Sequence, residues 1–296
     1  MFYENNLWNL IFNNFSYDCS YFNETILNDP AKKHPYIGWT YILLAIIFYI
    51  VYIPFVIAMT NREIIKFACY KIMIMLGIID LINLSICGIA TGIMSINGYV
   101  YCSSPKLIFV LGSVGTAFWV GTAICVTLLS INRCLDFTYP LIGDILFKGS
   151  KMWIWLSICP FVMFYIMFFT PPALFSGWLC TWLFDYSFNY FPDKPEKHSY
   201  GNIYHTITNF GICISQVLIY GSVFVIFFFK FYVNKTKSAP PKNAAIRLFV
   251  QCFLISGNIV LTALMSIILK WTKANLFFKK TPNIIFASSK HDQRCG

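Results

Sequence analysis

The chain has 296 residues, 58% of them hydrophobic and 11% charged, with a formal net charge of +10 at pH 7. Soluble domains carry about 25% charged residues and cannot bury this much apolar surface, so the composition excludes a soluble globular protein. The basic residues lie between apolar stretches, which excludes nucleic acid as a partner and indicates that they set orientation in a lipid bilayer.

Residues 1–37 precede the first apolar stretch and contain two glycosylation sequons, Asn14-Phe15-Ser16 and Asn23-Glu24-Thr25. Glycans are added on the lumenal side of the membrane, so Asn14 and Asn23 are predicted glycosylation sites. This segment is therefore predicted to be an extracellular N-terminus.

Six apolar stretches follow, and among the windows 34–61, 72–105, 107–132, 152–184, 198–229 and 248–269 there is one charged side chain, Asp80. Each is long enough to cross a bilayer, whose apolar core of about 30 Å needs roughly 20 helical residues. Open strand edges are not tolerated in lipid, so all six are predicted to be helices. The chain is thus predicted to be an all-α integral membrane bundle over 38–269, followed by a basic tail over 270–296. The core spans are predicted at 38–59, 72–96, 107–131, 152–169, 207–232 and 248–269.

The distribution of Lys and Arg predicts the orientation of the bundle. The loops after the first, third and fifth spans carry eleven of these residues, whereas the N-terminus and the other loops carry five. Cytoplasmic loops are the richer in Lys and Arg, so the N-terminus is predicted to lie outside. The tail opposes this pattern, since six spans return it to the outside although it carries six more basic residues.

Asp80 is the charged side chain predicted to lie deepest in the membrane. It follows Lys71 by nine residues, roughly 13 Å along a helix. A charge at that depth costs at least about 2.5 kcal/mol, so Asp80 is predicted to face the bundle interior, beside Asn83. Two interpretations stay open: an ion- or proton-linked switch, and a structural Asp that is protonated or paired with an amide.

Other polar residues are candidates for recognition. Arg133, at the cytoplasmic end of the third span, forms a breakable pair or meets a partner protein, or else simply anchors the span. Polar side chains inside the spans are candidates for a ligand pocket, although each can equally make a helix–helix hydrogen bond. The pocket candidates are Ser113, Thr116, His205 and Asn209.

Three cysteines are extracellular in this topology: Cys19, Cys102 and Cys180. That compartment oxidises thiols, so two of them can pair and one is left over. The sequence contains no metal-ligand spacing, nucleophile motif or phosphate-binding loop. No enzymatic activity, metal or cofactor is therefore predicted.

Several motifs resemble those of the nematode serpentine receptor class T (Srt) chemoreceptors. The resemblance extends over about residues 17 to 269 and is most specific between 69 and 136. The motifs that carry it are Tyr17-Asp18-Cys19-Ser20, Cys69-Tyr70-Lys71-Ile72-Met73 with Leu76-Gly77-Ile78-Ile79-Asp80, Cys102-Ser103-Ser104-Pro105, Ile131-Asn132-Arg133-Cys134-Leu135-Asp136, and Phe168-Phe169-Thr170-Pro171-Pro172 with Leu183-Phe184-Asp185.

The resemblance implies a seven-span, G-protein-coupled receptor fold in the plasma membrane of a chemosensory neuron. It implies an unknown small-molecule ligand outside and a heterotrimeric G protein inside. It places Arg133 where such receptors carry a switch arginine, and Asn132 stands where the usual acid would be, so no local salt bridge to Arg133 is expected. The general receptor pattern pairs Cys102 with Cys180, whereas the N-terminal motif favours Cys19.

The chain departs from the resemblance after residue 269, where a seventh span is expected and a polar basic segment stands instead. This indicates a divergent or truncated receptor product. An alternative is a non-signalling member that stays in the endoplasmic reticulum or acts through an oligomer with other receptors. A transporter or channel is a third alternative, which paired intramembrane charges would favour.

Overall fold

A computed structural model describes residues 5–13, 17–20, 24–27, 29–185 and 201–229, together with positions 250, 253–254, 257–258, 260–265 and 267–268. Its helices are α1 Leu7–Phe12, α2 Glu24–Leu27, α3 Pro35–Met59, α4 Ala68–Leu84, α5 Thr91–Asn97, α6 Pro105–Thr138, α7 Pro140–Phe147, α8 Lys151–Phe169 and α9 Ile203–Phe228. Two short strands, β1 Leu174–Ser176 and β2 Thr181–Leu183, form an antiparallel hairpin.

Five helical segments of the described chain are long and apolar enough to cross a membrane. They contain α3, α4 with α5, α6, α8 and α9, so the prediction of a membrane helical bundle is confirmed. The predicted sixth span, 248–269, lies largely outside the described residues, and its described positions are helical. The predicted glycosylation sites Asn14 and Asn23 and the tail 270–296 also lie outside them.

The starts of α6 and α9 lie before the predicted ones, at positions set by a proline and by a capping residue. α6 begins at Pro105, where a proline costs no hydrogen bond, and continues to Thr138. α9 begins at Ile203, because the Asn202 side chain accepts the backbone N–H of His205 and caps the helix.

α6 lies at the centre of the bundle and packs against α4, α8 and α9, while α3 packs against α4 and α5. A buried apolar cluster fills the space between these helices; members from α4 include Ile72 and Ile79, and members from α6 include Val126 and Leu129. Outward-facing apolar side chains cover the outer surface, for example Leu43 and Ile50 on α3. Such a surface is expected where lipid tails replace water.

α3 and α5 approach each other closely because glycines face each other. A Cβ added to Gly38 would lie 2.5 Å from the Gly92 carbonyl oxygen, and one added to Gly92 would lie 2.7 Å from that of Gly38. Small residues at helix contacts let backbones approach and strengthen van der Waals packing in membranes. Larger residues at these two positions would separate α3 from α5.

A second buried apolar cluster joins the N-terminal segment to the hairpin. It includes Leu7, Tyr17, Tyr101, Phe109 and Phe175. An isolated bridge between Val100 and Ser176 connects the hairpin to the segment before α6. This short sheet is the exception to the all-α prediction.

A disulfide between Cys19 and Cys102 ties the N-terminal segment to the start of α6. Of the two partners left open for Cys102, the structure therefore joins it to Cys19, and Cys180 is a buried free thiol. The Tyr17 backbone N–H donates to the Tyr101 hydroxyl, 3.3 Å away, and the two rings pack edge to face. This side of the bundle is called the disulfide end below, and the opposite side is called the Arg133 end.

Candidate ligand cavity and the Arg133 end

A cavity of about 1040 Å³ lies inside the bundle and reaches the hairpin. Small-molecule sites in proteins are commonly 300–1,000 Å³ and mostly apolar with a few polar groups, so the size suits a small organic ligand. Its wall is formed by Val51, Tyr52, Phe55, Met59, Met73, Leu76, Asp80, Asn83, Ile86, Cys87, Leu111, Gly112, Gly115, Thr116, Trp119, Thr122, Ala173, Trp182, Phe184, His205, Leu254, Asn258 and Thr262.

Two of the four predicted pocket residues, Thr116 and His205, lie on the cavity wall, and two lie behind it. Thr116 donates its hydroxyl to the Gly112 carbonyl and accepts the backbone N–H of Ala173, which fixes the start of the hairpin against α6. Ser113 is buried and donates to the Phe109 carbonyl within its own helix. Its hydrogen bond is within α6, and Ser113 is neither on the cavity wall nor part of a hydrogen bond between helices in the described chain.

Asn209 is completely buried and connects two residues of the cavity wall. Its side-chain oxygen accepts the Trp119 Nε1–H at 2.9 Å, and its amide nitrogen lies 3.4 Å from His205 Nδ1. The Phe184 ring meets the His205 ring in a T-shaped contact with 5.0 Å between centroids. Trp119 and Phe184, which were not predicted as pocket residues, thus position His205.

Asp80 and Asn83 lie on the cavity wall, and Asp80 contacts α3 and the middle of α6. One Asp80 oxygen accepts the Tyr52 hydroxyl at 2.9 Å, and the other accepts the Thr122 hydroxyl at 3.4 Å. The carboxyl group therefore has a donor for each oxygen, as a polar group inside a membrane requires. Tyr52 and Thr122, which supply those donors, lie 28 and 42 residues from Asp80, so spacing along the chain does not reveal them.

A π-helical segment, Ser85–Ala90, interrupts the helix between α4 and α5 where it meets the cavity. The Thr91 hydroxyl donates to the Ile86 carbonyl at 2.9 Å and accepts the Trp182 Nε1–H at 2.8 Å. π segments are rare in proteins overall, and those that occur are often found at functional sites. Here the segment connects the hairpin to the helix that carries Asp80.

At the Arg133 end, Arg133 Nη2 lies 2.8 Å from an oxygen of Asp136, three residues later, and also donates to the Asn132 oxygen. The expectation that Arg133 has no local salt bridge is therefore wrong. Asp136 lies one helical turn further along α6 and supplies the carboxylate that is missing at position 132, where Asn132 stands. Arg133 Nε is buried and has no partner among the described residues.

The family model described as "Serpentine type 7TM GPCR chemoreceptor Srt" matches residues 1–289. The chain belongs to this family. The resemblance found in the motifs is thereby confirmed, and with it a multi-pass membrane protein of a receptor family.

A curated relative of this Srt chain is serpentine receptor class T-55 of Caenorhabditis elegans. It is 25% identical over 169 residues, which are 54% of this chain and 45% of the relative. The chain thus spans about half the length of the curated relative it matches. No solved structure matches the chain.

Proposed function

We propose that this chain is a chemosensory receptor that binds a small molecule in the cavity and signals through a heterotrimeric G protein at the Arg133 end. The observation that carries the proposal is the cavity of about 1040 Å³ inside the bundle of a chemoreceptor family member. Its wall is mostly apolar and aromatic, with a few polar groups, as ligand sites are.

The disulfide end faces outside in this proposal, in the plasma membrane of a sensory cell. Three features support this orientation: the excess of Lys and Arg in the loops of the opposite side, the sequons at Asn14 and Asn23, and the Cys19–Cys102 disulfide, which is of a kind that persists in oxidising compartments. The hairpin then lies between the cavity and the outside.

α6 is the element proposed to connect the two sides. It has 34 residues, about 51 Å at 1.5 Å per residue, and it carries both cavity residues and Arg133. A ligand that favours one arrangement of α6 against α4 and α9 shifts the population of conformations at the Arg133 end. The buried Arg133 Nε, which has no partner among the described residues, is the group proposed to meet the G protein.

Blocking the cavity tests the ligand site. Gly115 lies on the cavity wall, and a Cβ there meets nothing closer than 3.7 Å, so Gly115→Leu places a side chain in the cavity. Gly211 on α9 is exposed with nothing within 4 Å, so Gly211→Leu is the matched control. Cells that express each variant are exposed to a panel of small molecules, with a second-messenger readout and surface labelling.

Loss of the response in Gly115→Leu, with the response kept in Gly211→Leu at equal surface level, supports the proposal. An equal response in both variants places the ligand elsewhere. The G-protein step is tested separately with Arg133→Gln, which is expected to abolish nucleotide exchange while ligand binding persists. Lys148→Gln, in an exposed pair at the same end, is expected to leave nucleotide exchange unchanged.

A further inference from the structure

Three sulfur atoms meet between α6 and α8 and are called the sulfur cluster below. Cys125 Sγ on α6 lies 3.6 Å from Cys159 Sγ on α8, which in turn lies 3.5 Å from Met163 Sδ, one turn further along α8. Both thiols are free and completely buried, and Met163 is 9% exposed. Spacing along the chain does not reveal the cluster, because its two cysteines lie 34 residues apart on different helices.

Thiol hydrogen bonds contribute little to the sulfur cluster. A buried free cysteine usually acts as a small apolar residue, which needs no sulfur neighbour. A thiol is a weak donor with a single proton, yet Cys159 Sγ lies 3.6 Å from the Gly121 carbonyl oxygen and 3.5 Å from Met163 Sδ. One proton cannot be donated fully to both acceptors, so the convergence of three sulfurs needs a further reason.

Gly121 on α6 makes room for the thioether beside the thiols. A Cβ added at Gly121 would lie 2.5 Å from Met163 Sδ and 3.0 Å from Met163 Cγ. The thioether therefore occupies the space that a larger residue at position 121 would fill. The next residue, Thr122, lies on the cavity wall, so the cavity gives an ion access to this turn of α6.

Two thiols and a thioether are soft ligands, the kind that Cu(I) prefers in proteins. A metal–sulfur bond of about 2.3 Å places neighbouring sulfur ligands about 3.8–4.0 Å apart. The observed sulfur–sulfur distances of 3.5 and 3.6 Å are close to this spacing. Small side-chain rotations therefore suffice to admit the ion between the two helices.

Charge also favours a monovalent ion. When Cu(I) replaces the proton of one thiol, an S–H bond breaks, a Cu–S bond forms and the proton leaves to solvent, so the net charge of the site stays zero. This matters because a net charge deep in a membrane is costly. Zinc usually takes four ligands, and the described part of the chain has no group of three or more His, Cys, Asp and Glu side chains that could hold a metal.

We propose that Cys125, Cys159 and Met163 form a binding site for a soft monovalent metal ion, Cu(I), which bridges α6 and α8. Gly121 is a positioning residue, because it acts on the ion only through Met163. The three ligands are not on the wall of the ligand cavity, and binding of the ion is measured without any ligand. The metal site therefore stands or fails independently of the proposed function.

The test measures how tightly the full chain in lipid nanodiscs retains Cu(I) without oxygen, in competition with the Cu(I) chelator bicinchoninate. The wild-type chain is expected to retain one ion more than the double variant Cys125→Ser with Cys159→Ser. X-ray absorption at the copper edge should show sulfur neighbours for that ion. Free Cu(I) at about 100 times its dissociation constant should raise the unfolding temperature of the wild-type chain by roughly 5 °C.

Single variants measure the part of each residue. Cys125→Ser and Cys159→Ser are each expected to weaken Cu(I) binding at least about 100-fold, since loss of a residue that only orients a metal ligand already costs about 10–100-fold. Met163→Leu keeps an apolar side chain of similar size and should weaken binding about tenfold. Gly121→Ala retains all three sulfurs but displaces the thioether, so it should match Met163→Leu.

Three control variants leave the sulfur cluster intact. Cys69→Ser removes another buried free thiol, and Met152→Leu removes another buried methionine of α8. Gly115→Ala adds a methyl group to α6 with 3.7 Å to its nearest neighbour. All three controls should bind Cu(I) as tightly as the wild-type chain does.

Several outcomes would overturn the proposal. Equal retention of Cu(I) by the wild-type chain and the double variant is one, and a loss in Cys69→Ser as large as that in Cys159→Ser is another. Unchanged binding in both Met163→Leu and Gly121→Ala would remove the thioether from the site, and these two variants keep the test decisive if the double variant does not fold. Tighter retention of Zn(II) than of Cu(I) would overturn the choice of a soft monovalent ion.

Discussion

The disulfide end is tied together by residues far apart in sequence, whereas the ion pairs at the Arg133 end are local. Cys19 and Cys102 are separated by 83 residues, and the Trp182 indole reaches Thr91, 91 residues away. These links tie the N-terminal segment to the start of α6 and the hairpin to the start of α5.

At the Arg133 end, each ion pair among the described residues joins positions three or four apart: Glu63 with Lys66, Arg133 with Asp136, and Asp144 with Lys148. Such pairs stabilise their own segment and hold no helix to another. Uncharged contacts, such as that of Ser130 on α6 with Gln216 on α9, connect helices there instead. The contrast teaches that the described part of one end is built to stay in place, whereas the described part of the other can rearrange without breaking an ion pair between helices.

Removal of the disulfide is the strongest way to break this contrast. Cys102→Ser is expected to lower the free energy of unfolding by about 2–5 kcal/mol, because a long loop is released in the unfolded chain. Thermal unfolding in nanodiscs and the fraction of protein at the cell surface measure the effect. Cys19→Ser should match it, and the double variant should cost no more than either single one.

Cys180→Ala is the matched control, since it removes a free thiol at the same end. It should cost clearly less than Cys102→Ser; an equal loss would mean that Cys180 and not Cys19 is the disulfide partner. Burial raises the pKa of the Cys180 thiol. Less thiolate is then present at neutral pH, so maleimide labelling of Cys180 should be slow at pH 7 and accelerate as the pH is raised.

Two glycines one turn apart on α6 give the next largest effect. A Cβ at Gly112 would lie 1.7 Å from the Ala173 carbonyl oxygen, so Gly112→Ala forces the hairpin away from α6. The expected loss is about 1–3 kcal/mol of unfolding free energy, as for overpacked sites. Gly115→Ala, with 3.7 Å to its nearest neighbour, is the control and should change little. Similar unfolding temperatures for the two variants would contradict the close approach.

The link between hairpin and π segment is expected to be weaker. Trp182→Phe removes the indole N–H that Thr91 accepts and should cost about 0.5–1.5 kcal/mol. Backbone hydrogen exchange should become faster within Ser85–Ala90. The reason is that the Thr91 hydroxyl, which donates to the Ile86 carbonyl, no longer accepts a hydrogen bond from position 182. Trp178→Phe, on the exposed turn of the hairpin, should leave both quantities unchanged.

The smallest change in stability is expected at the Arg133 end. The Asp136 side chain is 42% exposed, so Asp136→Asn should cost only about 0.2–1 kcal/mol of unfolding free energy. The same variant releases Arg133 and is expected to raise the basal rate of G-protein nucleotide exchange. A loss of stability as large as that of Cys102→Ser would remove the distinction between the two ends.

The membrane helices were predictable because the cost of burying charge in lipid leaves a clear sequence signal. That signal does not fix helix ends: α9 begins at Ile203 because of a cap at Asn202, a local contact outside the apolar run. The hairpin was missed because strands of three residues have no readable alternation. The two strands of the hairpin are instead held by tertiary contacts with α6 and with the segment that precedes α6.

The candidate site was predictable only in part. His205 and Asn209 were found as polar residues in an apolar span, but their roles depend on Trp119, which lies 90 residues from Asn209. Asp80 was found through its charge, whereas its donors Tyr52 and Thr122 come from two other helices. Single-residue polarity thus indicates that a buried partner is needed, and only the packing of helices identifies it.

The π segment also changes how sequences of this family should be aligned. A π turn holds one residue more than an α turn, so deletion of a single position within Ser85–Ala90 would restore a regular helix. The two halves of that helix would then turn against each other by about 100°, the angle of one residue. Thr91 could not stay against Trp182 while Asp80 stays against Thr122. A relative with a one-residue gap within this segment must therefore change either its hairpin contact or the contacts of its buried acid. An alignment that places the gap one turn away would not show that change.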